Sequence, residues 1–452
     1  MDTSPASGPV LAVESKTYPL GGLDKWFSSF SIPLLLFFEN NAAAAADCNE
    51  FMPFEVLRDA LHTALQSVPI LLGRMRRSRD TGFLEVAVDG DDLNMPVVRE
   101  FACDATFGDA RAARGAAVVL KLPHALVDVA GYISLLDRWT AECRRLAHGK
   151  PVPPELRQEA NHDRGCLGSS LAGVGSDGSP GALGGPAALK SGALSRWFAR
   201  RSPWAQGFAW RVASAVAPKP HGACYFVARS KLDELRLQIQ EHLPRGHRVS
   251  DNDILIAFAG MVMAQSGSKA PGSLSGLLRP RPRAFVITTV ADVRVRVSAL
   301  SGAGYCGNGI VPLGIPIPPS QIYARAAPDT LAPVCAAIRR TVGAITPEHI
   351  ASVLGALGTE RDLHVRGMAY GTRYPHSMLL TSHTHVKYYQ LDFGWGAPTY
   401  VSLIEGQMSG LVYLLPAHPS LDGYHVNFSA PRPALQRIRA ANLWGDFASR
   451  VY

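Results

Sequence analysis

The sequence predicts an α/β fold of layered sheets and helices, and three observations carry that prediction. Segments with helical apolar spacing alternate with short runs of strand length in both halves of the chain. Hydrophobic residues make up 47% of the 452 residues and charged ones only 18%, which is ample for more than one core and too apolar for a disordered chain. Between the halves, Gly165 to Leu194 is rich in Gly, Ser, Ala and Pro and holds no aromatic residue, so it cannot bury enough surface to fold by itself. Two domains are therefore expected, residues 1–164 and 221–452, joined by a Gly/Ser/Ala-rich linker over 165–220.

Each element follows from its local pattern. Phe54, Leu57, Leu61, Leu65 and Val68 recur at helical spacing, with Pro69 near the end of the stripe. Phe83 to Val88 alternates like a strand and is followed by the turn residues Asp89-Gly90-Asp91-Asp92. Ala116 to Leu122 reads as a buried strand stopped by Pro123. A helix follows from about Val129 to Leu146, with Ile133, Leu136, Trp139 and Leu146 on one face. In the second half, Cys224 to Ala228 reads as a strand and Lys231 to Leu243 as a helix capped by Ser230. Ser250-Asp251-Asn252-Asp253 is a second cap signal, ahead of the apolar helix Ile254 to Ala264. Ala284 to Val290, Tyr400 to Ile404 and Gly410 to Leu415 complete the strands.

Several function classes are disfavoured by composition. The longest apolar run, Ile32 to Phe38, is too short to cross a bilayer, so no membrane span is expected. Met1 to Pro5 has no basic region leading into an apolar core, so a secretory signal is not expected either. The seven cysteines are scattered without a C-x-x-C pair, which fits a reducing, cytoplasmic location better than a disulfide framework or a zinc site. The net charge of +8 is spread along the chain, and its densest cluster, Arg279 to Arg283, is interleaved with prolines rather than aromatics; no nucleic-acid partner is expected. Such a field still suits a phosphorylated small molecule. His383-Thr384-His385 would place two imidazoles on one strand face, but no third ligand stands nearby in sequence, and no metal is expected.

The most informative stretch is His124-Ala125-Leu126-Val127-Asp128, an H-x-x-x-D between a strand and a helix. A strand end is where a rigid scaffold can present one imidazole to a cleft, and histidine suits proton transfer near neutrality. On spacing alone, a capping aspartate beside a partly buried loop histidine is the better reading. The second motif is Asp392-Phe393-Gly394-Trp395-Gly396.

In their order and separation the two motifs resemble the signature pair of the BAHD family of coenzyme-A-dependent acyltransferases. Other stretches are similar to the family too: Pro69 to Arg74, His162-Asp163-Arg164, Asp292-Val293-Arg294, Gly304 to Asn308, and Leu380-Thr381-Ser382. Two departures stand out. Val129 follows the motif aspartate where the family usually has Gly, with Gly131 coming later, and His383 stands where a Trp often follows the Thr-Ser pair.

The resemblance implies two chloramphenicol-acetyltransferase-like domains, each a mixed β-sheet covered by helices, joined by a crossover loop and with the active site in a channel between them. It implies an acyltransferase that moves an acyl group from acyl-CoA to the hydroxyl of a small, hydrophobic acceptor of secondary metabolism. His124 would be the general base in a ternary complex, and Asp128 a structural support paired with Arg294. Ser250, Asn252, Thr381 and Ser382 would line the CoA and acyl channel, where a helix cap or a satisfied strand hydroxyl is the competing reading. Asp392, Gly394, Trp395 and Gly396 would hold a loop away from the chemistry. Acyl-CoA is then a co-substrate, no cofactor stays permanently bound, and a monomer is expected. The rival readings are N-acylation of an amine, a condensation-domain-like amide or ester former, and a non-catalytic binding protein of the same fold.

Overall fold

The structure, a computed structural model, describes residues 11–26, 31–40, 51–101, 115–171, 173–174, 219–267, 284–297, 300, 304–358, 377–403 and 408–452. Its strands are β1 (Lys16–Pro19), β2 (Ser31–Glu39), β3 (Arg74–Arg77), β4 (Leu84–Val88), β5 (Gly115–Pro123), β6 (Pro220–Ala228), β7 (Phe285–Asp292), β8 (Ile310–Ile317), β9 (Ser377–Ser382), β10 (Tyr400–Leu403), β11 (Leu411–Pro416), β12 (Gly423–Pro431) and β13 (Ser449–Arg450). Its helices are α1 (Gly22–Trp26), α2 (Phe54–Leu65), α3 (Val129–His148), α4 (Pro154–Arg157), α5 (Gly165–Ser170), α6 (Arg229–Glu241), α7 (Asp251–Gly267), α8 (Pro319–Ile322), α9 (Pro328–Gly343), α10 (Pro347–Gly358) and α11 (Arg432–Ala440). The mixed α/β class read from the sequence is the class observed.

The chain divides into two units. The first comprises Met1–Ala172, Val297–Gly309 and Lys387–Leu403. It carries two antiparallel three-stranded sheets, ordered β1-β4-β3 and β10-β2-β5. Strand β2 pairs with β5 along its whole length, from Ser31 opposite Pro123 to Glu39 opposite Gly115. The apolar run that was too short for a membrane is thus a sheet strand, with Leu34, Leu36 and Phe38 buried. Helices α2 and α3 pack on each other, and the Trp139 indole donates to the Leu57 carbonyl at 2.8 Å.

The second unit comprises Gly173–Arg296, Ile310–Val386 and Ile404–Tyr452 and is built on one mixed sheet ordered β13-β6-β12-β11-β9-β7-β8. Strand β9 runs parallel to both neighbours, β7 and β11, and the remaining pairs are antiparallel. Helix α7 is buried on every side, as its near-continuous apolar sequence requires, and packs against β9, α9 and α11. One face of the sheet joins this core through Ile287, Leu380, Val412, Leu414, Val426 and Phe428.

Three expectations are corrected. The domain cuts at 164 and 221 miss that two later segments return to the first unit, so Asp392-Phe393-Gly394-Trp395-Gly396 does not belong with the C-terminal half. The cause is strand pairing: β10 adds to the side of β2 away from β5, Tyr400 opposite Phe37, and satisfies backbone groups that β2 would otherwise leave open. The expected linker begins with α5, which buries Leu167, so its first residues are structured; residues 175–218 lie outside the described residues. Ser230 is not a cap, because α6 starts two residues earlier than expected, with Ala228 at the N-cap and no side-chain bond there.

Candidate active site

His124 immediately follows β5, and the five residues of its motif form the turn from that strand into α3. Asp128 is the N-cap of the helix: its Oδ1 accepts from the amides of Ala130 at 3.1 Å and Gly131 at 3.4 Å. Its Oδ2 accepts from the Gly309 amide at 2.9 Å. One carboxylate therefore fixes both the helix start and the returning segment. Gly131 is where the shifted glycine acts, since a Cβ there would stand 2.1 Å from the Cys306 carbonyl oxygen. Val129, at the position where the family usually has Gly, is accommodated because the close approach falls two residues later.

The histidine itself is held through its backbone. Asn308 Nδ2 donates to the His124 carbonyl at 2.8 Å and to Asp24 Oδ1, also at 2.8 Å. Asp24 in turn pairs with Arg164 Nε at 3.0 Å, and Arg164 also donates to the Leu126 carbonyl at 2.8 Å. Asp24 and Arg164 are both buried, and such a pair needs this fuller bonding to offset desolvation. Burial holds the His124 imidazole below its ordinary pKa, against the raising influence of Asp128 and Asn308. The ring is therefore neutral, the form that can accept a proton, across the neutral range.

Asp392 Oδ1 accepts from the amides of Gly394 at 2.7 Å and Gly396 at 3.0 Å. Those glycines have φ of +109° and +108°, a conformation that disfavours any side chain. Arg144 donates to the Asp392 carbonyl, and the Gly394 carbonyl meets His148 Nε2 at 2.7 Å. Arg144 thus takes the Asp392 carbonyl, while the carboxylate closes its own turn. Phe393 is fully buried and meets Trp139 and Phe38 edge to face at centroid distances of 5.0 and 5.5 Å. Both motifs hang on α3, at opposite ends of a 20-residue helix about 30 Å long.

Within the second unit, Ser250, Asn252, Thr381 and Ser382 cluster where α7 begins and β9 ends. The Ser382 hydroxyl donates to Asn252 Oδ1 at 2.6 Å and meets Thr384 Oγ1 at 3.1 Å. Ser250 Oγ bonds Asp253 Oδ2 at 2.8 Å and accepts from its amide at 3.3 Å, which is a capping arrangement. Arg294 meets Asp292 Oδ1 at 3.1 Å. Strand β9 ends at Ser382, so His383 and His385 do not share a strand face; His383 is buried beside Thr381 Oγ1 at 3.3 Å and His385 is exposed. Among the described residues no group of three His, Cys, Asp or Glu could hold a metal.

Sequence reasoning missed two features. Asp24 carries the network behind His124, and its only signal is an acid in the first turn of a short helix. A cleft of about 400 Å³ beside Ser250 is lined by Arg236, Gln240, Gly246, His247, Arg248 and Val249. The run Arg245-Gly246-His247-Arg248 could have pointed to it.

A family model described as Transferase family matches residues 273–441. No curated protein sequence matches the chain. Among solved structures, F. graminearum TRI101 complexed with ethyl coenzyme A aligns with a TM-score of 0.65 at 14% identity, covering 97% of this chain and 100% of that one. Vinorine synthase aligns with a TM-score of 0.59 at 15% identity, covering 97% of this chain and 95% of its own. The first condensation domain of the CDA synthetase aligns at 0.54 and 13% identity, covering 96% of this chain and 98% of its own. At such identities the likeness is one of fold.

Proposed function

We propose that the chain is an acyltransferase of the BAHD type, which transfers an acyl group from acyl-CoA to the hydroxyl of a small acceptor with His124 as general base. The observation that carries the proposal is the histidine at the end of β5. Burial lowers its pKa, and the turn that carries it is held by an aspartate cap, an asparagine and a buried ion pair.

The chemistry follows from those groups. A neutral alcohol is a poor nucleophile, so the imidazole removes its proton as the oxygen attacks the thioester carbonyl. The tetrahedral adduct collapses by breaking the carbon–sulfur bond, and the imidazolium returns its proton to the departing thiolate. Acyl group and proton balance within one ternary complex, and no acyl-enzyme is needed. Ser250, Asn252, Thr381 and Ser382 are assigned to the CoA and acyl side. The basic cleft beside Ser250 supports that assignment, because two arginines and a histidine suit phosphate oxygens. Arg236 is partly neutralised there by Asp233 and Asp251, which leaves Arg248 and His247 as the less committed groups.

The test is release of free thiol from an acyl-CoA panel in the presence of mixed alcohols, read beside mass spectrometry of the products. Thiol release with an acylated alcohol is expected. Acylation of amines alone would replace the hydroxyl reading by N-acylation. Binding of CoA without any product would leave only the fold.

A further inference from the structure

Asp24, buried on the short helix α1, has both carboxylate oxygens engaged. Oδ2 accepts from the Gly21 amide at 2.8 Å and from Arg164 Nε at 3.0 Å, while Oδ1 accepts from Asn308 Nδ2 at 2.8 Å. Nδ2 of Asn308 has two hydrogens, and the second goes to the His124 carbonyl at 2.8 Å. With both donors spent, the Asn308 amide cannot turn over without breaking two buried bonds. Only its Oδ1 remains for the His124 ring, and the Asn308 side chain is among the groups that act on that ring. Asp24, His124, Arg164 and Asn308 all lie in the first unit.

An amide oxygen can only accept, so this contact asks a proton of the imidazole. The nitrogen in question is Nδ1, which is the ring nitrogen nearer the backbone whose carbonyl the same amide holds; it is a buried atom, as is Asn308 Oδ1. In the free protein Oδ1 accepts no hydrogen bond of full geometry, a looseness common in catalytic pairs before substrate binds. Were the neutral ring to carry its proton on Nε2, two buried lone pairs would meet here with no donor between them. With the proton on Nδ1 the contact is attractive, and Nε2 keeps the lone pair that a general base needs. The direction of the amide depends in turn on Asp24. A carboxylate can only accept, so it holds Nδ2 on its own side and leaves Oδ1 on the other, whereas an amide in its place could satisfy either end of Asn308.

We propose that Asp24 is a positioning residue for His124: it fixes the Asn308 amide, and through that amide the tautomer with Nδ1 protonated and Nε2 open to the alcohol proton. The last step rests on the acyl-transfer reading, but the tautomer itself can be read without turnover. Arg164 completes the arrangement by neutralising the buried carboxylate, which lets Asp24 stay ionised and acceptor-only beside the amide.

The experiment reads the His124 ring nitrogens by two-bond proton–nitrogen NMR in the full chain carrying isotope-labelled histidine, the signal being assigned by its loss in His124→Ala. The parent is expected to show the proton on Nδ1, whereas a histidine without such an acceptor carries it mostly on Nε2. Asp24→Asn should shift the signal toward Nε2 and lower kcat about tenfold or more, with the KM for acyl-CoA unchanged. Asn308→Leu, which leaves the Asp24–Arg164 pair in place, should do the same and move the acid limb of kcat/KM to lower pH, since an acceptor that favours the imidazolium is gone. Adding Asp24→Asn to Asn308→Leu should cost kcat nothing more, because the acid acts through the amide. Asp24→Asn leaves Arg164 buried without its carboxylate, so where it melts too low, Asp24→Asn combined with Arg164→Gln takes its place. A parent ring protonated on Nε2 overturns the inference, as does a tautomer that no Asp24 variant changes or an additive loss in the combined variant. A lower melting temperature with tautomer, kcat and acid limb unmoved also overturns it, since that pattern belongs to a purely structural ion pair. If no acyl-CoA releases thiol with any alcohol, the acyl-transfer reading fails, while the ring signal still decides whether Asp24 sets the tautomer.

Discussion

The two ends of α3 perform the same local task for different purposes. At its N-terminus Asp128 gathers the amides of Ala130, Gly131 and Gly309, and at the far end the Asp392 loop, closed on the amides of Gly394 and Gly396, is held by Arg144 and His148. The first turn holds up an imidazole with a depressed pKa, backed by the buried Asp24–Arg164 pair. The second holds up Phe393 and Trp395, which fill the core beside Trp139 and His148. A carboxylate binding backbone amides is thus a fastening in both places. The chemical role belongs to the neighbour that each turn presents.

The contrast breaks most sharply at His124. His124→Ala is expected to lower the transfer rate by about 10² to 10⁴ with the melting temperature unchanged, because only the proton acceptor is lost. Full activity in that variant would remove the general base. In the parent the acid limb of kcat/KM should lie below the ordinary histidine range, since burial lowers this pKa and the neutral ring is the active form. An acid limb at or above 6.5 would contradict the depressed pKa.

Asp128→Ala comes next. It removes the N-cap, worth about 1 kcal/mol, and orphans the buried Gly309 amide for about 1–2 kcal/mol more. A stability loss of about 2–3 kcal/mol is expected in chemical denaturation. Asp128→Asn keeps a good cap and should recover about half of that loss. Abolished single-turnover chemistry at unchanged stability would instead make this acid a participant in the reaction.

His162 sharpens the same comparison, because it lies in the network behind the first turn, where Arg164 donates to its carbonyl. Its ring is 4% exposed with both nitrogens unbonded, and burial, aided by Arg164 and Arg138, lowers its pKa to about 3. Between that value and 6.5 the unfolded chain binds a proton that the folded chain does not. The histidine's contribution to stability is therefore complete above 6.5 and is lost as pH falls toward 3. The slope in that window is at most about 1.4 kcal/mol per pH unit. His162→Phe should flatten it in denaturation series at several pH values, with His162→Leu as the smaller replacement. An unchanged slope would place the acid sensitivity elsewhere.

Much of this was legible in the sequence. The strand ahead of His124, the helix after Asp128 and the cap at Ser250 could be read because each rests on neighbours a few residues apart. Asp24, Asn308 and the return of Lys387–Leu403 to the first unit could not, since their partners lie 140 to 284 residues away and nothing local encodes the pairing. Gly131 shows the limit most clearly: its spacing reads as a departure from a motif, and only the carbonyl of Cys306 explains it.

The smallest expected effect is at the other end of the helix. Asp392→Ala frees the amides of Gly394, which is partly exposed, and Gly396, which is exposed, so water replaces much of what the carboxylate supplied. A loss of about 1 kcal/mol is expected, well short of the loss for Asp128→Ala, where the orphaned groups are buried. Transfer rates at saturating acyl-CoA should be unchanged, since the turn stands about 30 Å of helix away from His124. Thermal melting beside single-turnover kinetics checks both statements. Equal stability losses for the two alanine variants would show that water does not reach the Gly394 turn. A rate loss confined to Asp392→Ala would mean that the turn shapes the reacting site after all, and the division of labour between the two ends of α3 would have to be given up.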